Sequence, residues 1–427
     1  MTNSQYSFIL CQGDIIKNKI YIIGAGLSGL SSSIYSLKKN FDVELYESSN
    51  FAGGRCRSFY DKKVHTEIDN GNHLVFSANK SFKKFCDEIE STKTINIIPP
   101  KLFFYDNKFK KKWNIDLSNG LITTLFNYKN LIPNTKLIDY LSFLKFFFVK
   151  DSANVYDLVG NSKIYKTFWE PFTLGVMNTC PKVASAKVVS NVLKETIFKG
   201  EKNCFILQPK KNWNETLIKP SLIKIKKKGG KIFFKNTLRQ VNFKNNQITE
   251  LVFNKKTVKL KKNDRVIFAI PPSNLMKFLV HLKLPVKYNT ILNIHYKVDK
   301  KTLDLFDNKI TGFINTISQW LFVKNDHISV TVSNANSYNN TNPQLLANKV
   351  WKEISNFVKR KIKFTDFQIV REKKATYIQS PQNIRLVKNL KINPCNFFLA
   401  GDWTQYNLPC TIEASILSGK KVINSVD

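Results

Sequence analysis

Gly24, Gly26 and Gly29 form a G-x-G-x-x-G between a β-branched run, Lys19 to Ile23, and a helix-like segment that follows at Leu30. In that setting the first glycine permits a tight turn, the second lets backbone approach a phosphate, and the third lets helix and strand pack closely. The helix N-terminus adds N–H donors for an anion. Glu47 follows eighteen residues after Gly29, at the end of a second strand-like run, Asp42 to Tyr46. A carboxylate there can accept hydrogen bonds from ribose hydroxyls, so the spacing predicts a dinucleotide site. Gly54-Arg55 adds a fixed cation that can pair with a buried pyrophosphate. Near the C-terminus, A-G-D-W-T provides Asp402 as an acceptor for a polyol chain. A helix start at Thr411-Ile412-Glu413 offers a dipole that can stabilise negative charge on a reduced ring.

These residues need a scaffold, and 427 residues with 43% hydrophobic and 13% aromatic content are ample for a folded chain of two or three domains. The formal charge of +36 raises nucleic acid or an anionic membrane as partners. Only seven of the 67 basic residues are Arg, and no nucleic-acid-binding module is present, so nucleic acid is not expected. The seven cysteines, including Cys11 and Cys395, contain no C-x-x-C pair, and the five histidines form no ligand-spaced cluster. Neither a disulfide framework nor a metal site is therefore expected. The stretch before Lys19 has only Phe8-Ile9-Leu10 as an apolar core and no window is long enough to span a bilayer, which places the chain in the cytoplasm or on the inner face of the cytoplasmic membrane.

Lys19 to Glu47 has the size of one βαβ unit. From about Ser77 to Lys228 the texture is helical, with Leu137 to Val149 as the most apolar stretch. Lys231 to Ile270 reads as a β-meander returning to a buried strand, and a final helix runs from about Thr411 to Val426. The predicted fold is α/β: a discontinuous nucleotide-binding domain from 19–76, 231–272 and 391–427, with an inserted α+β substrate domain from 77–230 and 273–390.

G-A-G-L-S-G, E-S, G-G-R, the meander ending in A-I-P-P, and L-A-G-D resemble the flavin amine oxidase and phytoene desaturase superfamily over essentially the whole chain. Asp69 to His73 (D-N-G-N-H), Phe168 to Thr179, Ser185 to Leu193 and Ala400 to Ser415 resemble one branch more closely, the squalene-associated hydroxysqualene dehydroxylases of hopanoid biosynthesis. Asn72, Asn407 and Ala414 depart from the Gln, Gly and Gly usual in that branch. The resemblance implies a Rossmann-type domain binding FAD. Gly24, Gly26, Leu27, Ser28 and Gly29 would hold the pyrophosphate, Glu47 the adenosine ribose, and Gly54 and Arg55 the phosphates and ribityl side. Leu238 would meet the adenine through its backbone, Gly71 and Asn72 the isoalloxazine, and Asp402, Ile412 and Glu413 its ribityl and pyrimidine end.

The same resemblance implies removal of an allylic hydroxyl from a long apolar isoprenoid, hydroxysqualene, to give squalene. That chemistry needs an acid for the leaving oxygen, a hydride donor held against one carbon, and a dry apolar tunnel. His73 and Glu170 are the candidate acids; a buried core histidine and a salt-bridged glutamate are the alternatives. The Leu137 to Val149 run is either core or a patch that dips into an anionic membrane, flanked by Lys136, Lys145 and Lys150. A carotenoid-type desaturase or other flavin amine oxidase-like enzyme, and a flavin-free prenyl-binding escort, are the rival functions.

Overall fold

The computed structural model describes residues 18–117, 131–391 and 396–426, so Phe8 to Leu10, Cys11 and Cys395 lie outside the described residues. Strand β1 (Lys19–Ile23) runs into helix α1 (Leu27–Lys38), which returns to strand β2 (Asp42–Tyr46) parallel to β1. Ile20, Ile22, Val43 and Leu45 are fully buried on the face covered by α1, while Tyr21, Ile23 and Tyr46 on the other face pack against Leu238, Leu251 and Phe253 of an antiparallel ribbon. Helix α1 carries small residues where it meets the C-terminal helix, Ile412–Asn424. Ser31 donates to the Ile416 carbonyl at 2.8 Å, and a Cβ on Gly419 would overlap the Ser28 carbonyl oxygen. Only glycine permits that approach.

The parallel sheet has the order Lys231–Phe233, β2, β1, Arg265–Phe268, Phe397–Leu399. Three distant chain segments thus meet in one sheet. Its core also includes Phe82, Phe85 and Cys86 of helix α2 (Lys80–Glu88), together with Trp213, Leu217, Ile218 and Ile225. The expected boundaries at 76/77 and 230/231 are therefore corrected: α2 and the region around 213–225 pack on the nucleotide-binding side. Their apolar faces cover the sheet, a relation that linear texture does not reveal. The helical texture of 77–228 also conceals strands at Ile95–Ile98, Lys101–Asp106, Lys111–Asp116 and Ile206–Pro209.

A hairpin of β3 (Ser58–Asp61) and β4 (Thr66–Asp69) leads to the loop at Asn70 to His73. That loop lies against a seven-stranded sheet whose central strands include β5 (Tyr288–Lys297) and β6 (His327–Val332), paired antiparallel. One face, with Leu292, Ile294, Tyr296, Ile328, Val330 and Val332, packs on helix α3 (Pro343–Val358). The opposite face carries Asn293, His295, His327, Ser329 and Thr331, as strand alternation requires. Leu137–Phe147 forms a 3₁₀ helix rather than an α-helix.

Candidate active site

The glycine turn is held from several directions. Gly24 has φ +104°, and a Cβ there would meet the Ala269 carbonyl oxygen at 2.6 Å; one on Gly29 would overlap the Gly24 carbonyl oxygen. Both positions are structural. Gly26 differs: a Cβ there would meet nothing within 4 Å, which leaves open space at the start of α1, above buried Leu27 and Ser28. The Gly53 N–H donates to the Ala25 carbonyl at 2.8 Å, and Gly54, at φ +55°, approaches the Gly26 Cα so closely that an added Cβ would lie 3.3 Å away. The Glu47 carboxylate accepts from the Ala25 N–H at 2.9 Å and the Ser49 N–H at 2.8 Å, so it braces the turn as well as facing it. The Glu47 carbonyl accepts from the Asn236 N–H at 2.9 Å, placing it close to buried Leu238, which opens the antiparallel ribbon opposite Phe253.

Arg55 joins this cradle to the C-terminus. One guanidinium nitrogen donates to Asp402 Oδ1 at 2.7 Å and another to the Ala375 carbonyl. Asp402 is buried and also accepts from the Trp403 N–H at 3.0 Å. Its negative charge holds the Arg55 guanidinium protonated despite the desolvation that burial imposes. Ile412 is buried at the first turn of the C-terminal helix.

The Glu413 side chain is engaged within the fold. Its two carboxylate oxygens accept from the Ser81 N–H at 2.9 Å and the Phe82 N–H at 2.8 Å, which caps the N-terminus of α2. With that side chain bound to a neighbouring helix, the first turn offers a ligand its backbone at Glu413.

Asn72 Nδ2 donates to Ser329 Oγ at 2.7 Å and Thr331 Oγ1 at 3.1 Å, and Asn293 Nδ2 donates to the Asn70 carbonyl at 3.0 Å. This pins the 70–73 loop to the polar face of β5 and β6. Asn72 Oδ1 and His73 Nε2 are buried yet have no hydrogen-bond partner among the described residues. The His73 ring folds back over Gly71, where a Cβ would sit 3.1 Å from Nε2. Burial pushes the His73 imidazole below its usual value; the Asp69 charge and a backbone hydrogen bond at Arg55 oppose this, while the Arg55 and Lys324 charges add to it. The neutral ring is favoured.

Glu170 lies elsewhere in this arrangement. It opens the helix Glu170–Met177, and both its oxygens lie 2.9 Å from Lys166 Nζ, one helical turn back, with the carboxylate side chain 29% exposed and the lysine 66%. The opposite end of that helix reaches the β5 sheet, where Asn178 Nδ2 donates to Thr376 Oγ1 at 3.0 Å. Eight helical residues put Glu170 roughly 12 Å farther along. Asn293, His295, His327, Ser329 and Thr331 were not singled out from the sequence. Their signal was period-two polarity, N-x-H and H-x-S-x-T, inside otherwise apolar strands.

An open anion cradle at Gly26, an Arg55–Asp402 pair beyond it, and buried partnerless polar atoms at Asn72 and His73 suit an extended dinucleotide whose polar ring edge needs hydrogen bonds. The residues fit FAD, and with the fold they define an FAD-dependent oxidoreductase. Residues 27–424 match the flavin containing amine oxidoreductase model, and the chain belongs to that family. It is 33% identical to the hydroxysqualene dehydroxylase of Zymomonas mobilis, over 94% of this chain and 97% of that protein. It is 30% identical to the protein of the same name from Rhodopseudomonas palustris, over 95% and 98%. The fold is similar to that of a putative protoporphyrinogen oxidase from Exiguobacterium, with TM-score 0.71 at 13% identity and coverage of 96% and 98%.

Proposed function

We propose that the protein removes the hydroxyl of a long allylic isoprenoid alcohol, hydroxysqualene, to give squalene. The observation that carries this reading is the near full-length match to two hydroxysqualene dehydroxylases, which spans the nucleotide cradle and the inserted regions alike. Reduced FAD supplies the two electrons and the hydrogen delivered to carbon. The chain does the rest. Gly26, Glu47, Gly54 and Arg55 would hold the dinucleotide, and the Asn72 network fixes the loop that would meet its ring. His73, buried and with a free Nε2, is the residue assigned to the leaving oxygen. A depressed imidazole pKa makes its protonated form a stronger acid while lowering the population of that form. The experiment is incubation of the reduced holoprotein with hydroxysqualene, with squalene as the expected product. Anaerobic bleaching of the oxidised flavin by a polyene, without dehydroxylation, would favour the desaturase reading instead.

The partner surface proposed with this activity is an anionic bilayer. A 3₁₀ helix stacks every third residue. Tyr140, Phe143 and Phe146 form the buried row, while Ile138, Leu141, Leu144 and Phe147 form an outward row 44% to 67% exposed, followed by Phe148 at 90%. That row is about 18 Å long at the 3₁₀ rise. Exposed Lys136, Lys145 and Lys150 flank it and suit acidic headgroups. Both readings of the run thus find support in different rows of one helix. Among the described residues no helix is long and apolar enough to cross a membrane. A location on the inner face of the cytoplasmic membrane belongs to this proposal.

A further inference from the structure

The polar face of β5 and β6 holds two histidines that the reaction above does not use. His327 Nδ1 lies 2.7 Å from Asp326 Oδ1, and His327 Nε2 lies 3.4 Å from His295 Nδ1. The Asp326 side chain is 55% exposed, the His327 side chain 5%, and His295 is fully buried. The chain therefore runs from solvent inward. At its inner end His295 Nε2 is buried with no hydrogen-bond partner among the described residues, although the Asp69 backbone lies near enough to the ring to favour its charged form. Directly across the strand pair from His295 stands Ser329, whose Oγ accepts from Asn72. Packing alone would be served by apolar residues, as on the other face of the same strands. Two adjacent buried imidazoles ending in an unsatisfied nitrogen call for another explanation.

We propose that Asp326, His327 and His295 form a proton relay from solvent to the polar floor beneath Asn72. These are positioning residues, acting through Ser329 and Asn72. A proton reaching Asp326 passes to His327 Nδ1 as the Nε2 proton leaves for His295 Nδ1, and the His295 Nε2 proton passes to Ser329 Oγ as the Ser329 hydroxyl proton leaves for the ligand side above Asn72. At each atom on the path one bond to hydrogen forms as another breaks, O–H at Asp326 and Ser329 and N–H at the two imidazoles, so charge and protons balance. The tautomers reset when the rings rotate, so that the next proton again moves inward. Other charged and polar groups face the relay. Thr66 donates to Asp326, Lys297 pairs across from His327, and Gln368 pairs across from His295. Lys324, ion-paired with Asp69 at 3.6 Å, lies beside both the relay and His73. Burial, with the neighbouring His327 ring and the Lys324 charge acting in the same direction, pushes the His295 imidazole well below its usual value and keeps it neutral, the state a carrier needs between transfers.

The proposed use, replacing the proton that departs with the hydroxyl as water, rests on the dehydroxylase reading, but the test does not. FAD holoprotein without isoprenoid is photoreduced by a deazaflavin sensitiser, and proton uptake from solvent is followed with an indicator dye. His327→Ala should slow uptake by at least about tenfold, and added imidazole should restore it, a rescue that a packing role would not show. Asp326→Asn, on the half-exposed end, should also slow uptake and decides the matter if the alanine variant does not fold. Wild-type uptake rates in these variants, or slowing that imidazole leaves unchanged, would overturn the relay.

Discussion

The Arg55 guanidinium donates to Asp402 Oδ1 at 2.7 Å, joining residues 347 positions apart in the chain. The same guanidinium donates to the Ala375 carbonyl. A lysine at 55 supplies a point charge and cannot keep both bonds in one plane. Each charge-assisted hydrogen bond contributes about 1.5–3 kcal/mol. Arg55→Lys and Asp402→Asn are thus expected to weaken FAD binding by about tenfold to a hundredfold, read by flavin absorbance after dialysis.

Gly26 and Gly29 separate binding from folding. Gly26 has φ −70°, and an added Cβ meets nothing, so Gly26→Ala should melt at the wild-type temperature as apoprotein. Its methyl occupies the space left for phosphate, and FAD affinity should fall by at least about tenfold, the equivalent of 1.4 kcal/mol. In Gly29→Ala the new carbon overlaps the Gly24 carbonyl oxygen, which forces strand and helix apart. That variant should lose stability by about 1–3 kcal/mol or more, visible as a lowered thermal midpoint without any ligand present.

The two candidate acids should respond unequally. His73→Gln removes the buried imidazole beside Asn72, and a lost general acid costs about a hundredfold or more in the single-turnover rate of flavin reoxidation. Glu170→Gln breaks an exposed one-turn ion pair with Lys166, worth about 0.5 kcal/mol or less, and should leave that rate within about threefold. Equal losses in both variants would return Glu170 to the site.

The outward row of the 3₁₀ helix can be tested without touching the flavin. Leu141→Asp with Leu144→Asp places two carboxylates on a face that is already solvent-exposed, so folding and flavin content should be unchanged. Sedimentation with anionic liposomes at low salt should drop by at least about tenfold relative to wild type, since each buried apolar side chain contributes about 1.5–3 kcal/mol. Wild-type protein that ignores such liposomes contradicts the bilayer proposal.

What could be read from the sequence was local. Gly24, Gly26, Gly29 and Glu47 fall within one βαβ unit, where spacing and turn chemistry carry the meaning. That the Glu413 carboxylate caps α2 could not be read, because its partners, the Ser81 and Phe82 N–H groups, lie more than 300 residues away and belong to a helix whose docking no short pattern announces. The polar face made by Asn293, His295, His327, Ser329 and Thr331 exists only once β5 and β6 pair in register. The 3₁₀ form of Leu137–Phe147 was hidden for a different reason: an apolar run rich in Phe and Leu fits an α-helix equally well, and only its packing selects the three-residue repeat.

The most direct measurement is a single turnover in D₂O, with holoprotein reduced under anaerobic conditions, mixed with hydroxysqualene and quenched for mass spectrometry. Flavin oxidation should match squalene formed one for one, and the squalene should carry one deuterium bound to the carbon that lost the hydroxyl. Flavin that stays reduced, or squalene without carbon-bound deuterium, would contradict the account.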